Sequence, residues 1–310
     1  MEAVLNAALP VFGLILLGYL AGRSGKFETS ATDTLNRFAF YFALPALIFI
    51  AMARVAPDQL RQWGFLAAFG GGAAITCVIG FLVSRRMGRS TANALIEGCN
   101  AGYSNVGFMG VPLCLLVFGP DGIAPAAMSV LVTASIQFLL TIVLIEVALK
   151  GSNGLGTALK DVAVSLVRNP LFLAPIAGIA ASMLGLILPR PVEQFAQILG
   201  NAAAPVALFC IGLFLAQTKL GSGHYTAISS ITAMKLLLQP AIAAGLAVYV
   251  FSMPEMWTKA AVLLSALPIG SGIFTIAKTY ELEAGITSGA ILTTHVLSVI
   301  SLSLLIALMV

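Results

Sequence analysis

Residues 91–118 read TANALIEGCNAGYSNVGFMGVPLCLLVF, an apolar run of membrane-spanning length interrupted at its centre by Asn105-Val-Gly-Phe-Met-Gly110 and Pro112. A helix crosses the hydrocarbon core with about 20 apolar residues. A break inside it frees backbone N–H and C=O groups that lipid cannot satisfy, so broken helices occur where they line a cavity. A second interruption, Leu267-Pro-Ile-Gly-Ser-Gly272, falls in the apolar run 256–280. The two breaks are placed alike. Gly110 lies 65 residues past Pro45 and Gly272 lies 67 past Pro205, and both prolines open a P-x-x-[LI]-F segment (Pro45–Phe49, Pro205–Phe209).

Working outward, ten runs of spanning length can be read: 4–22, 34–53, 63–83, 91–118, 126–148, 170–188, 195–216, 226–251, 256–280 and 285–309. The composition agrees, with 59% hydrophobic and only 9% charged residues in 310. Soluble domains carry roughly 25% charged residues, so a water-soluble globule is excluded, and disorder is excluded by the same hydrophobicity. The four cysteines (Cys77, Cys99, Cys114, Cys210) lie in apolar segments with no CxxC pair, unlike a disulfide scaffold. A net charge of +4, scattered along the chain, gives no nucleic-acid footprint. Alternating ten-residue segments of a barrel are absent. The first run follows only Met1 and Glu2, without a basic n-region, and reads as a span rather than a cleavable signal.

Alternate loops differ in basic residues. One set holds Arg23, Lys26, Arg37, Arg85, Arg86, Arg89, Lys150, Lys160, Arg168, Lys219 and Lys278; the other holds Arg54, Arg61, Arg190 and Lys259. The richer set is expected in the cytoplasm, with both termini outside. Residues 149–169 read as a short central cytoplasmic loop with an interfacial helix, dividing the chain into five-span halves at 1–148 and 170–310. An odd number of spans per half gives the halves opposite orientations. The expected fold is an all-α polytopic membrane protein, with ten transmembrane helices in two inverted five-helix repeats and broken helices four and nine. Half-helix N-termini at the two breaks suit an anion and half-helix C-termini a cation. The competing reading is that Gly and Pro only kink or closely pack these helices.

Three stretches carry a family resemblance. Asn36-Arg-Phe-Ala-Phe-Tyr-Phe-Ala-Leu-Pro-Ala-Leu-Ile-Phe49 resembles the second-span signature of the auxin efflux carrier family. Asn105-Val-Gly-Phe-Met-Gly-Val-Pro-Leu113 resembles its fourth-span crossover, and Ala266–Tyr280 (ALPIGSGIFTIAKTY) is similar to its ninth-span motif. The resemblance implies crossing fourth and ninth helices and an elevator-type carrier. Helices 1, 2, 6 and 7 would form a scaffold and homodimer surface, and helices 3–5 and 8–10 a moving transport domain. Plant members export the indole acetate anion, and bacterial ones resemble carriers of malonate, malate and similar carboxylates. The short loops fit a bacterial member in the inner cell membrane. Ser104 and Ile273 stand where plant exporters often have proline, leaving Gly107, Gly110, Gly270 and Gly272 to supply backbone freedom.

The candidate substrate site is then Asn105 with Gly107, Gly110, Pro112, Pro268, Gly270, Ser271, Gly272, Ser104 and Asn100. Asn105 matches the family's crossover residue; its amide either donates to a carboxylate or caps a half-helix. Glu97, Asn100, Ser104 and Asn105 draw a polar stripe. Glu97 reads either as a coupling site or as a carboxylate paired with nearby Arg89. Lys278 either draws an anion inward or snorkels. Lys235 lies mid-span and needs a partner, with Glu97 and Glu146 as candidates. His295 reads as a proton relay or a hydrogen-bonded structural residue. Tyr103, Gln137, Ser271, Thr275 and Gln239 are secondary lining candidates. Scattered methionines read as packing rather than metal ligands. There is no HExxH, GxSxG or Walker motif, and no paired intramembrane Asp, so no cofactor or enzymatic chemistry is expected. The expected partners are a small organic anion and the bilayer. A sodium-coupled symporter resembling the bile-acid carriers, or an anion channel, are the alternatives.

Overall fold

The computed structural model describes residues 2–55, 62–150, 164, 167–217 and 224–309. The expected interfacial helix within 149–169, and the loop charges Arg61, Lys160 and Lys219, lie outside these residues. The described chain is helical: α1 (Glu2–Arg23), α2 (Thr29–Phe38), α3 (Leu44–Arg54), α4 (Trp63–Arg86), α5 (Thr91–Gly102), α6 (Val111–Phe118), α7 (Ile123–Leu131) and α8 (Phe138–Lys150) come first. After them come α9 (Pro170–Met183), α10 (Arg190–Asn201), α11 (Ala203–Gln217), α12 (Tyr225–Ala233), α13 (Gln239–Gly245), α14 (Glu255–Ser265), α15 (Gly272–Thr279) and α16 (Ala284–Met309). The sole extended pairing among the described residues is one isolated antiparallel bridge, Ser104 with Ile269.

Several of these helices run on into one another through π-helical turns, and proline explains three of the turns. Pro45, Pro112 and Pro240 stand just inside α3, α6 and α13, and each follows a π segment: Ala39–Ala43, Val106–Gly110 and Met234–Leu238. Proline has no N–H and its ring collides with the carbonyl four residues back. Widening the preceding turn moves that carbonyl aside without ending the helix.

Six helical stretches are long and apolar enough to cross a membrane, and Phe12–Arg23 and Pro170–Met183 are shorter apolar helices. At most 44% of any of those six apolar windows is buried inside the protein. The remainder faces outward, as Leu304 (62% exposed) and Leu308 (86%) do on α16. Helices apolar on both inner and outer faces suit a lipid surround.

Two packing groups emerge. In one, α1 lies along α11, and α3 packs on α9 and α10. The α1–α11 contact is backbone to backbone: a Cβ on Gly18 would stand 2.1 Å from the Phe209 carbonyl oxygen, and one on Gly212 2.0 Å from that of Ile15. Small residues at such crossings let membrane helices gain close dispersion contact. In the other group, α4 packs on α5, α13 and α14, and α12 on α16. The larger apolar core runs across both groups, from Ile48 and Leu208 to Phe65, Leu263 and Leu302, while a smaller one (Ile96, Tyr103, Ile145, Ile228, Ile269, Ile273, Ile291) lies on α5, α8, α12, α15, α16 and the segments between them. A Cβ on Gly72 of the Gly70–Gly72 run would stand 3.2 Å from Ala243 Cβ, so the two helices pack closely there.

Candidate functional site at the crossing of two broken helices

The helix α5 stops at Gly102 and α14 stops at Ser265, and the chain resumes helical form at Val106 and Gly272. Between them the two extended segments cross antiparallel. The Asn105 N–H donates to the Pro268 carbonyl (2.9 Å) and the Gly270 N–H to the Tyr103 carbonyl (3.0 Å). The Ile269 N–H donates to Thr294 Oγ1 at 3.2 Å. Backbone groups freed by each break are thus satisfied largely by the other break and by α16, as a low-dielectric interior requires. None of Gly107, Gly110, Gly270 or Gly272 has positive φ, so the expected conformational freedom is not what they supply. They supply room. A Cβ on Gly272 would lie 2.7 Å from Tyr103 Oη, and one on Gly110 2.9 Å from Leu264 Cδ2.

Asn105 starts the helical segment after the first break, yet its side chain makes no cap. It points to α16, where Nδ2 lies 3.2 Å from His295 Nε2. His295 Nδ1 lies 2.8 Å from the Ile291 carbonyl oxygen. A carbonyl only accepts, so Nδ1 carries the proton and Nε2 is left to accept from the Asn105 amide. Protonating Nε2 would turn that acceptor into a donor and release the amide. Ser298 Oγ donates to the His295 carbonyl at 2.8 Å.

Two cavities flank this point. One, of about 450 Å³, is lined by Asn36, Arg37, Phe40, Tyr41, Asn105, Phe108, Ser271, Ile291 and His295 among others. The second, of about 770 Å³, is lined by Tyr103, Ser104, Asn105, Gly107, Phe108, Arg168, Asn169, Gly270, Ser271, Gly272 and Thr275, together with Phe40 and Tyr41. Asn105, Ser271, Phe40, Tyr41 and Phe108 belong to both. A third cavity, of about 450 Å³ and lined in part by Arg54, Asp121 and Trp257, does not include Asn105. Neither Arg37 nor Arg168 has an ion-pair partner among the described residues, and both are exposed. Aromatic walls, an amide floor, the N-terminus of α15 at Ser271–Gly272 and two guanidinium groups at the mouths suit an anion with a small apolar body.

Other candidates are placed differently. Asn100 lines neither cavity; its Nδ2 donates to Thr287 Oγ1 at 2.9 Å. Pro112 is buried at the start of α6, and Gly110 packs on Leu264 and Leu267. Pro268 contributes its carbonyl to the crossing. Ser104 Oγ is buried without a hydrogen-bond partner among the described residues. Glu97 is ion-paired: Ser84 Oγ donates to Oε2 (2.7 Å), and Arg89 Nε lies 3.2 Å from Oε1. Arg89 also reaches Glu283 (3.5 Å) and His224 Nδ1 (3.3 Å), tying α5 to the starts of α12 and α16. Lys278 is exposed, with Nζ 5.6 Å from the Phe274 ring centroid. Lys235 is fully buried and pairs with neither proposed glutamate: Nζ donates to the Ser265 carbonyl at 2.7 Å. Gln137 Nε2 (3.0 Å) and Gln239 Nε2 (3.3 Å) both donate to the Gly102 carbonyl. Sequence reasoning counted Arg37 and Arg168 only as loop charges and passed over Phe40, Tyr41 and Thr294. The position of Arg37 two turns before Pro45 was the available signal.

Crossed, mutually bonded helix breaks inside an apolar helical protein define a membrane transport protein. The chain belongs to the family described as membrane transport protein, whose model matches residues 3–306, and with it to the auxin efflux carrier family. It is 30% identical to a Rhizobium meliloti (strain 1021) protein named "Putative malonate transporter", over 96% of this chain and 93% of that one. It is 25% identical to the Oryza sativa subsp. japonica protein named "Probable auxin efflux carrier component 5a", over 93% and 92% of the two chains. The Escherichia coli (strain K12) protein named "Uncharacterized transporter YfdV" is 24% identical over 75% of this chain and 74% of its own.

Proposed function

We propose that this protein is a secondary carrier of small carboxylates, with short dicarboxylates such as malonate the preferred class. The observation that carries the reading is the position of Asn105: it lies at the crossing of both breaks and in the lining of both cavities. The relative named for malonate supports the substrate class, as do the guanidinium groups of Arg37 and Arg168, which have no ion-pair partner among the described residues. By the loop-charge rule those two arginines mark the cytoplasmic side. The cavities at Asn105 are then the inward-open vestibule of one alternating-access state, and the separate cavity at Arg54 and Asp121 lies on the outer face.

In this reading ten spans form two inverted five-helix repeats, 1–148 and 170–310, joined by 149–169, with both termini outside the inner membrane. The group of α1–α3 and α9–α11 is the scaffold and homodimer surface. The group containing α4–α8 and α12–α16 slides against it as an elevator, carrying the crossing. The α1–α11 backbone contact supports a rigid scaffold, and the smaller apolar core, which lies within the other group, supports a body able to move as a unit. Saturable counterflow of radiolabelled malonate in proteoliposomes tests the carrier reading. A flux that neither saturates nor shows counterflow would instead describe a channel.

A further inference from the structure

The cavity at Arg37 and the cavity at Arg54, each of about 450 Å³, share no residue, yet one wall of each is built alike. Arg37 of α2, Phe40 and Tyr41 of the π turn after it, and Cys210, Ile211 and Phe214 of α11 line the first. Pro205 follows Pro45 by 160 residues, which is the spacing of the two P-x-x-[LI]-F segments. Moving the six by that spacing, forward from the first half and back from the second, gives Gln197, Gly200, Asn201, Ile50, Ala51 and Arg54. All six line the second cavity. A spacing one residue longer lands only two in that lining (Asn201, Ile50), and one residue shorter only three (Gly200, Ala51, Val55). Helical periodicity therefore does not produce the match.

The facing groups differ. Asn105 and Ser271 of the crossing close the cavity at Arg37, while the cavity at Arg54 meets the α6–α7 junction and the start of α14, with Asp121 and Trp257. The side chains of the two walls differ as well. Arg37 gives way to Gln197, Phe40 and Tyr41 to Gly200 and Asn201, and Phe214 to Arg54. Each wall thus keeps one guanidinium, but only the first has aromatic faces. Arg54 Nε donates to Glu193 Oε1 at 3.0 Å, and the Arg54 side chain is 50% exposed. An ion pair so open to water is worth little, so this guanidinium can turn to another carboxylate.

We infer that the cavity at Arg54 is the repeat counterpart of the cavity at Arg37 and forms the fixed wall of the outward-facing substrate site, with Arg54 as its anion-binding side chain. The inference rests on the carrier reading above and goes beyond it. Carried outward, the crossing brings Asn105 and Ser271 against this second wall. A short dicarboxylate meets a guanidinium on either side, whereas an acid with an aromatic body loses its aromatic faces outside.

The test is initial-rate uptake of radiolabelled malonate into right-side-out and into inverted membrane vesicles, for wild type, Arg54→Gln, Gln197→Arg and Arg37→Gln. Arg54→Gln should raise KM about tenfold in right-side-out vesicles and leave it at the wild-type value in inverted ones, because a charge-assisted hydrogen bond is lost on one side only. Arg37→Gln should do the reverse. Gln197→Arg, which gives the second wall the residue of the first, should lower KM several-fold in right-side-out vesicles alone. An Arg54 that only holds α3 to α10 would change both sides equally. Equal changes, no change, or the two sides exchanged would overturn the inference. Gln197 is exposed, so its variant decides the matter even if Arg54→Gln does not fold, and an unchanged KM in right-side-out vesicles overturns it. Absence of saturable wild-type uptake in both orientations would instead remove the carrier reading.

Discussion

At the residue scale, the Asn105–His295 pair is a neutral hydrogen-bonded floor rather than a charged one. Its orientation is set by the Ile291 carbonyl, which holds the proton on Nδ1 and leaves Nε2 to accept. Replacing His295 by Leu leaves a buried amide N–H without its acceptor, a loss of about 1–3 kcal/mol, or roughly tenfold or more in substrate affinity if the amide then misorients. His295→Gln can restore an acceptor and should retain more of the affinity; binding of labelled substrate to purified protein ranks the three. Gly272 is limited by space. Gly272→Ala places a methyl 2.7 Å from Tyr103 Oη, an overpacking cost of about 1–3 kcal/mol. The melting temperature of Gly272→Ala should fall, and Tyr103→Phe in the same chain should recover part of it, a coupling that two independent sites would not show.

At the scale of elements, the breaks were legible because glycine, proline and asparagine interrupt runs that are otherwise uniformly apolar. What they bond to was not. That the Asn105 N–H finds the Pro268 carbonyl, 163 residues away, depends on how two halves cross, and no local pattern encodes it. The same limit explains Lys235, whose partner is a backbone carbonyl at a helix end rather than either glutamate. Glu97 was readable as an Arg89 partner because the two flank one helix start, but the reach of Arg89 to Glu283 was not. This cluster joins three helix ends, which suits a mechanical role. Glu97→Gln should lower unfolding stability by about 2 kcal/mol, below the loss for a fully buried pair because Arg89 is partly exposed and keeps Glu283. Substrate affinity should change little; an equal loss of affinity would place Glu97 in the transport cycle instead.

At the scale of the whole molecule, composition alone excluded a soluble protein, and loop charge supplied an orientation. With the four native cysteines replaced, Asp121→Cys should react with a membrane-impermeant maleimide on intact cells, and Asp33→Cys only after permeabilisation. The reverse pattern would invert the vestibule assignment. Two packing groups with a crossing carried by one of them are the parts the proposed elevator would need: a face that stays and a body that moves. The proposed site lies where the crossing meets the aromatic side chains Phe40 and Tyr41, which line both cavities. The most direct test is counterflow of radiolabelled malonate in proteoliposomes of wild type and Asn105→Ala, side by side at equal protein. Saturable exchange by wild type, reduced about tenfold or more in Asn105→Ala at comparable folding, is the expected result. Wild-type rate and affinity in Asn105→Ala would contradict the placement of the site at the crossing.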